Sequence, residues 1–101
     1  MTTQGQKAYD KLWNLGAPVV ESIWGGVEFK IDLEEGREDR LRGESDEHWA
    51  ISPVDRSRQS KRLRRSGWRY GLNPKLNRVL RQYGLTASWQ SHSILNINVA
   101  R

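Results

Sequence analysis

Apolar residues recur at helical spacing near the start of the chain. Ala8, Leu12 and Leu15 fall at i, i+4 and i+7, which predicts an amphipathic helix of about three turns. Thr3 fits the first position of a capping box, and Gly16 fits the end of the helix. The expected role of this helix is to pack on a core.

Two runs of strand-forming residues, 19–24 and 27–33, flank Gly25 and Gly26, and this order predicts a β-hairpin. In the second run the odd positions are apolar and should face a core. The even positions should meet water. These polar positions are Glu28, Lys30 and Asp32.

The C-terminal half has the clearest helix signal. Asn73 and Pro74 suit an N-cap and a first helical residue, and Gly84 suits a helix end. Between them, one stripe is apolar and predicts a helix over 74–83. The stripe consists of Leu76, Val79, Leu80 and Tyr83.

The last part of the chain, 85–99, places its apolar residues at odd positions and is interrupted at 91–93. One long strand or a hairpin fits this pattern. Residues 48–51 suggest a further brief strand, and the charged stretch 34–47 suggests a solvated connection.

We therefore expect a single small α+β domain over 1–101. It should contain a mostly antiparallel sheet of four to five strands from 19–33, 48–52 and 86–99, an N-terminal helix and one well-formed C-terminal helix. The five tryptophans should supply large pieces of the core.

Charge divides the chain into an acidic half and a basic half. Residues 1–50 carry six basic and eleven acidic side chains, whereas 51–101 carry eleven basic side chains and only Asp55 as an acid. The resulting balances are −5 and +10. Either the basic half faces an external polyanion, or the two halves face each other within a chain or across a homodimer.

The basic residues concentrate between 55 and 81, where eight arginines and two lysines occur. Arginine grips phosphate with a planar fork of donors, so the segment favours nucleic acid, DNA or RNA, as partner. The candidate phosphate-contacting residues are Arg56, Arg58, Lys61, Arg62, Arg64, Arg65, Arg69, Lys75, Arg78 and Arg81.

Two aromatic residues, Trp68 and Tyr70, lie within this segment between Gly67 and Gly71. Flat rings beside arginines can stack on exposed bases, so both are candidate binding residues. The competing interpretation is that both rings fill the core.

A helix from Asp55, as N-cap, to Ser66 is predicted, with Gly67 as its stop. Leu63 is its only apolar residue, so we expect the segment, about 54–70, to be mobile without a partner. A helix-turn-helix with 74–83 is a further alternative, although the connection is longer than its standard turn.

A protein-interaction module is the competing class of function. It would be an adaptor, an inhibitor or a charge-complementary homodimer in which the acidic residues mate with the basic segment. The acidic cluster consists of Glu34, Glu35, Glu38, Asp39, Glu44, Asp46 and Glu47.

A minor alternative is a Mg²⁺-dependent nuclease. Glu28-Phe29-Lys30 in a predicted strand resembles the core of the nuclease family with the PD-(D/E)xK motif. The resemblance implies that Glu28 binds Mg²⁺ and that Lys30 steadies the attacking water or the phosphate. It covers little of the chain, and the upstream aspartate is missing, with Glu21 as its only candidate replacement.

The remaining composition favours a binding protein without catalytic residues, metal or cofactor. The chain contains no cysteine, and His48 and His92 lack metal-ligand spacing. No apolar run reaches the roughly 20 residues of a membrane span, so we expect a soluble, cytoplasmic protein.

Overall fold

The structure is a computed structural model, and it describes residues 1–22, 25–34 and 48–100. A 3₁₀ turn spans Arg69–Gly71. The helices and strands are α1 (Thr3–Asn14), β1 (Val19–Glu21), β2 (Phe29–Asp32), α2 (Arg58–Arg65), α3 (Pro74–Gln82), β3 (Leu85–Trp89) and β4 (Ile94–Val99). The predicted α+β class is confirmed.

Two hairpins build one antiparallel sheet in the order β1-β2-β4-β3. The N-terminal hairpin β1–β2 and the C-terminal hairpin β3–β4 meet where Phe29 pairs with Ile97 and Ile31 pairs with Leu95. The tail is thus a hairpin, not one long strand.

The predicted strand at 48–51 does not join this sheet, and that prediction is wrong. Ala50 makes only an isolated bridge with Leu72. The pairing stops there because the chain turns into α3 at Pro74.

The core lies between α1, α3 and one face of the sheet. Helix α1 contributes Ala8 and Leu12, as its spacing predicts, and α3 contributes its apolar stripe. The sheet contributes the paired residues of β2 and β4 described above, each at most 1% exposed. Leu15 was expected in this face, but it is the C-cap residue of α1 and is 43% exposed.

Within the described residues the tryptophans fill less of the core than expected, and Trp24 lies outside those residues. Trp49 is buried, but Trp13 is 51% exposed, and Trp68 and Trp89 are half-buried. Trp13 stacks on Tyr9 along the flank of α1, with ring centroids 6.2 Å apart.

The start of α1 differs from the predicted capping box. Thr2, not Thr3, is the N-cap, and its hydroxyl accepts a hydrogen bond from the backbone N–H of Gly5 at 3.0 Å. The same hydroxyl and the backbone N–H of Thr2 donate to the carboxylate of Glu28. The carboxylate therefore lies beside the positive end of the helix dipole.

Two residues of the expected water-facing side of β2 are buried. Glu28 is 9% and Asp32 is 8% exposed. The N-terminus of α1 covers Glu28, and Asp32 accepts a hydrogen bond from the backbone N–H of Glu34 at 2.9 Å. These local partners replace water, so strict alternation fails at both ends of the strand.

In the described part of the chain, each helix is too short and too polar to cross a bilayer.

Gly5→Ala should lower the free energy of unfolding by about 1–3 kcal/mol. Alanine inside a helix normally stabilises by about 1 kcal/mol relative to glycine. Here an added Cβ would lie 2.5 Å from the Glu28 Oε1 atom and 3.0 Å from Met1 Cγ, so the Glu28 carboxylate must shift, and we expect the shift to weaken its hydrogen bonds with Thr2. Chemical denaturation measures the difference.

The matched control is Gly25→Ala, because a Cβ there meets nothing within 4 Å. It should change stability by less than about 0.5 kcal/mol. Equal or greater stability of Gly5→Ala would contradict the proposed anchoring of α1 to β2.

Candidate nucleic-acid interface

Helix α2 carries the densest part of the basic segment. Its N-cap is Ser57, whose hydroxyl accepts from the backbone N–H of Ser60 at 3.2 Å. Asp55 is not the N-cap, contrary to the prediction, but lies two residues before it and binds the capping residues. Its carboxylate accepts from the Ser57 backbone N–H at 2.8 Å and from the Ser60 hydroxyl at 2.5 Å. Gly67, at φ 94°, follows the helix end as predicted.

One side of α2 faces the protein and the other faces solvent. Ser60 is 4% exposed and Leu63 is half-buried, and these residues mark the inner side. At 3.6 residues per turn the opposite side holds four exposed bases at i, i+3, i+4 and i+7. We call this set the α2 basic stripe: Arg58, Lys61, Arg62 and Arg65.

Arg64 lies outside the stripe and has a local partner. Its guanidinium donates to the backbone carbonyl of Asp55 at 3.2 Å and to that of Ser52 at 3.4 Å. The Asp55 N–H donates to the same Ser52 carbonyl at 3.0 Å. Arg64 therefore helps to hold the turn at 52–55 against α2, a role that its sequence position does not reveal.

These contacts change the acidity of Asp55. The hydroxyl of Ser60, the N–H and hydroxyl of Ser57 and the charge of Arg64 lower the pKa of Asp55 from 3.8 to about 2. The only acid of the basic half is thus committed to the cap of α2.

Helix α3 confirms the predicted start and stripe. The Asn73 side chain accepts from the Lys75 backbone N–H at 2.9 Å, and Pro74 follows the cap. Its solvent-facing residues include Lys75, Arg78 and Arg81. The spacing of three places them on the side opposite to the buried residues.

The two aromatic residues between α2 and α3 differ in exposure. Trp68 is half-buried, whereas Tyr70 is 86% exposed and has a backbone φ of 59°. The core interpretation therefore fails for Tyr70. Arg69 is exposed beside it, and Arg56 is exposed before α2.

Two predictions for the basic segment concern α2 and its connection to α3: a helix-turn-helix, and mobility without a partner. Residues 66–73 separate α2 from α3 and include the 3₁₀ turn, so the connection differs from the short turn of a helix-turn-helix. The expected mobility of 54–70 stays a prediction, although a capped helix occupies part of that range.

The residues of the nuclease resemblance do not gather into a metal centre in the described structure. Glu28 is engaged by Thr2, and the described residues include no group of three His, Asp or Glu side chains arranged to hold a metal ion. Glu21 is exposed, opposite Phe29 of β2. Nuclease activity stays an untested prediction.

The two histidines lie at the surface. His48 is exposed, and His92 is exposed with its Nε2 atom 3.8 Å from Glu34 Oε1. Glu34 is the one member of the predicted acidic cluster within the described residues, and the rest of the cluster lies outside them.

Sequence reasoning missed two residues of this region. The Asn77 side chain donates hydrogen bonds to the carbonyls of Arg69 at 3.1 Å and Leu72 at 3.2 Å. It therefore stabilises the 3₁₀ turn that carries Tyr70. Ser60 links Asp55 to α2. The i, i+3, i+4, i+7 order of the α2 basic stripe was available as a signal, whereas these two contacts depend on the fold.

Comparisons of the chain with protein-family models, with curated proteins and with solved structures give no match.

Ser60→Ala should raise the pKa of Asp55 from about 2 toward 3.8, because it removes the hydroxyl that lowers this pKa most. The folded-state pKa is below the ordinary value. The ionised carboxylate therefore stabilises the cap above about pH 4, and this contribution is lost as the pH falls toward 2. Carbon-13 NMR of the Asp55 carboxyl group measures the midpoint.

Ser66→Ala is the control, since the Ser66 hydroxyl donates to the carbonyl of Leu63 at 3.1 Å at the other end of α2. Its Asp55 midpoint should equal that of the unmodified protein. An unchanged midpoint in Ser60→Ala would show that the Asp55–Ser60 hydrogen bond does not exist in solution.

Proposed function

We propose that this protein is a small non-enzymatic nucleic-acid-binding protein. It would contact phosphates through the α2 basic stripe, through Arg56 and Arg69, and through the solvent-facing bases of α3. The observation that carries the proposal is the α2 basic stripe itself, because four bases share one solvent-facing side of a two-turn helix.

Like charges at spacings of three and four destabilise an isolated helix by about 0.2–0.5 kcal/mol per pair. A helix whose only purpose was to cover the core would gain nothing from such an arrangement. A phosphate backbone would neutralise the repulsion and release counterions, so the same arrangement favours binding to a polyanion.

The sequence around these bases contains little negative charge. From residue 48 to residue 100, Asp55 is the only acidic side chain, and its carboxylate is bonded to Ser57 and Ser60. Residues 48–100 therefore carry a strong positive net charge, and a charge of this kind steers polyanions toward a protein.

Arginine predominates over lysine in this region, and this favours phosphate over a generic solubilising surface. The guanidinium fork binds two phosphate oxygens at once and also stacks on bases. DNA and RNA both present these groups, so the proposal covers either nucleic acid.

Binding should depend steeply on salt. The logarithm of the association constant should fall linearly with the logarithm of salt concentration, by about 0.9 per neutralised phosphate on duplex DNA and about 0.7 on single strands. Arg62→Gln and Arg65→Gln should each reduce that slope by about one phosphate. Fluorescence anisotropy with labelled single-stranded DNA, duplex DNA and RNA provides the measurement.

The control is Lys7→Gln, which removes an exposed charge from α1 in the acidic half. Its slope should match that of the unmodified protein. Flat salt dependence, or no binding at low salt to any of the three nucleic acids, would contradict the proposal. A dimer that dissociates as salt rises without nucleic acid, seen by light scattering, would then favour the protein-interaction alternative.

A further inference from the structure

An open cleft lies where the 3₁₀ turn, α3 and strand β3 meet. Its volume is about 510 Å³, within the roughly 300–1,000 Å³ range of small-ligand sites. Leu72, Leu80 and Leu85 line its apolar part, and these side chains are buried. Arg69 and Arg81 also line the cleft, and both are exposed.

Tyr70 borders this cleft with an unusual backbone conformation. A bulky residue with φ of 59° is strained, at a cost of order 1–3 kcal/mol. Folding does not recover this cost by burying the ring, since 86% of the residue is exposed. The chain therefore holds a large flat side chain in solvent at the expense of stability.

The turn that presents Tyr70 is held from several sides. The Gly71 N–H donates to the carbonyl of Trp68 at 3.0 Å, and the Gly71 carbonyl accepts from the Ile51 N–H at 2.7 Å. The Asn77 side chain adds its two hydrogen bonds from α3. The exposed ring is thus on a fixed support, which lowers the entropy lost when a ligand binds.

The chemistry of the cleft fits one kind of occupant. An exposed phenol ring offers a stacking face, the leucines form an apolar floor, and two guanidiniums offer phosphate donors. A nucleotide combines a flat aromatic base with an anionic phosphate. A peptide strand added along β3 would match the edge but would leave the charges of Arg69 and Arg81 without a counterpart.

We propose that this cleft binds one unpaired nucleotide of a single strand, with its base stacked on Tyr70 and a phosphate held by Arg69 and Arg81. The inference rests on the proposed function and narrows it, since bases in a duplex are already stacked and present no free face. The protein should therefore bind single strands more tightly than duplex.

The decisive variant is Tyr70→Asn, because asparagine tolerates the left-handed backbone and lacks the ring. Affinity for a labelled oligothymidylate or oligouridylate should fall roughly 5- to 150-fold. Affinity for a blunt-ended linear duplex of two separate strands should change less than about twofold, since phosphate contacts dominate it. Tyr70→Phe keeps the ring and should bind both probes like the unmodified protein.

A second pair of variants tests the phosphate contact within one helix. Arg81 lines the cleft, whereas Arg78 lies elsewhere on the exposed side of α3. Arg81→Gln should reduce the preference for single strand over duplex, and Arg78→Gln should leave that preference unchanged. Upfield shifts of the Tyr70 ring protons on adding oligothymidylate should accompany binding by the unmodified protein.

The possible outcomes distinguish failure of the proposed nucleotide site from failure of the proposed nucleic-acid binding. Salt-dependent binding that Tyr70→Asn leaves unchanged on single strands would overturn the nucleotide site and retain nucleic-acid binding. An equal loss on both probes would also overturn it, because stacking on one base cannot weaken duplex binding. Absence of binding to every nucleic acid at low salt would remove both proposals.

Discussion

The structure depends on the pairing of β2 with β4. This antiparallel ladder joins a hairpin of the acidic half to a hairpin of the basic half, and its paired residues Phe29, Ile31, Leu95 and Ile97 are all at most 1% exposed. Both α1 and α3 contribute their apolar residues to the core that these strands share. Without this long-range contact each hairpin would have one apolar face and no partner, and two-stranded hairpins are marginal alone.

The basic segment lies mostly outside the core, but α3, which carries part of it, is packed on the core. In helix α2 only Ser60 is buried. Its start is therefore defined by hydrogen bonds that Asp55 and Ser57 accept and Arg64 donates, not by apolar packing. Helix α3, in contrast, is anchored by three buried side chains. The proposed interface would therefore combine a weakly anchored basic helix with a firmly anchored one, and the turn carrying Tyr70 lies between them.

Local signals predicted the elements that depend on local physics. Asn73, Pro74 and Gly84 fix the bounds of α3 within a residue, and Gly25 and Gly26 mark the first hairpin. The burial of Glu28 was not predictable, because it depends on the N-terminus of α1 reaching across to β2. The exposure of Tyr70 was also not predictable from the sequence. It depends on a strained turn that hydrogen bonds from Ile51 and Asn77 hold in place.

Chemical-shift mapping of the nitrogen-15-labelled protein with oligothymidylate at low salt tests the central claim most directly. The account predicts saturable shifts concentrated in Arg58–Arg65, Arg69–Gly71 and the solvent-facing bases of α3, with α1 unaffected. Shifts confined to α1 and β1, or no shifts at a large excess of oligonucleotide, would contradict it.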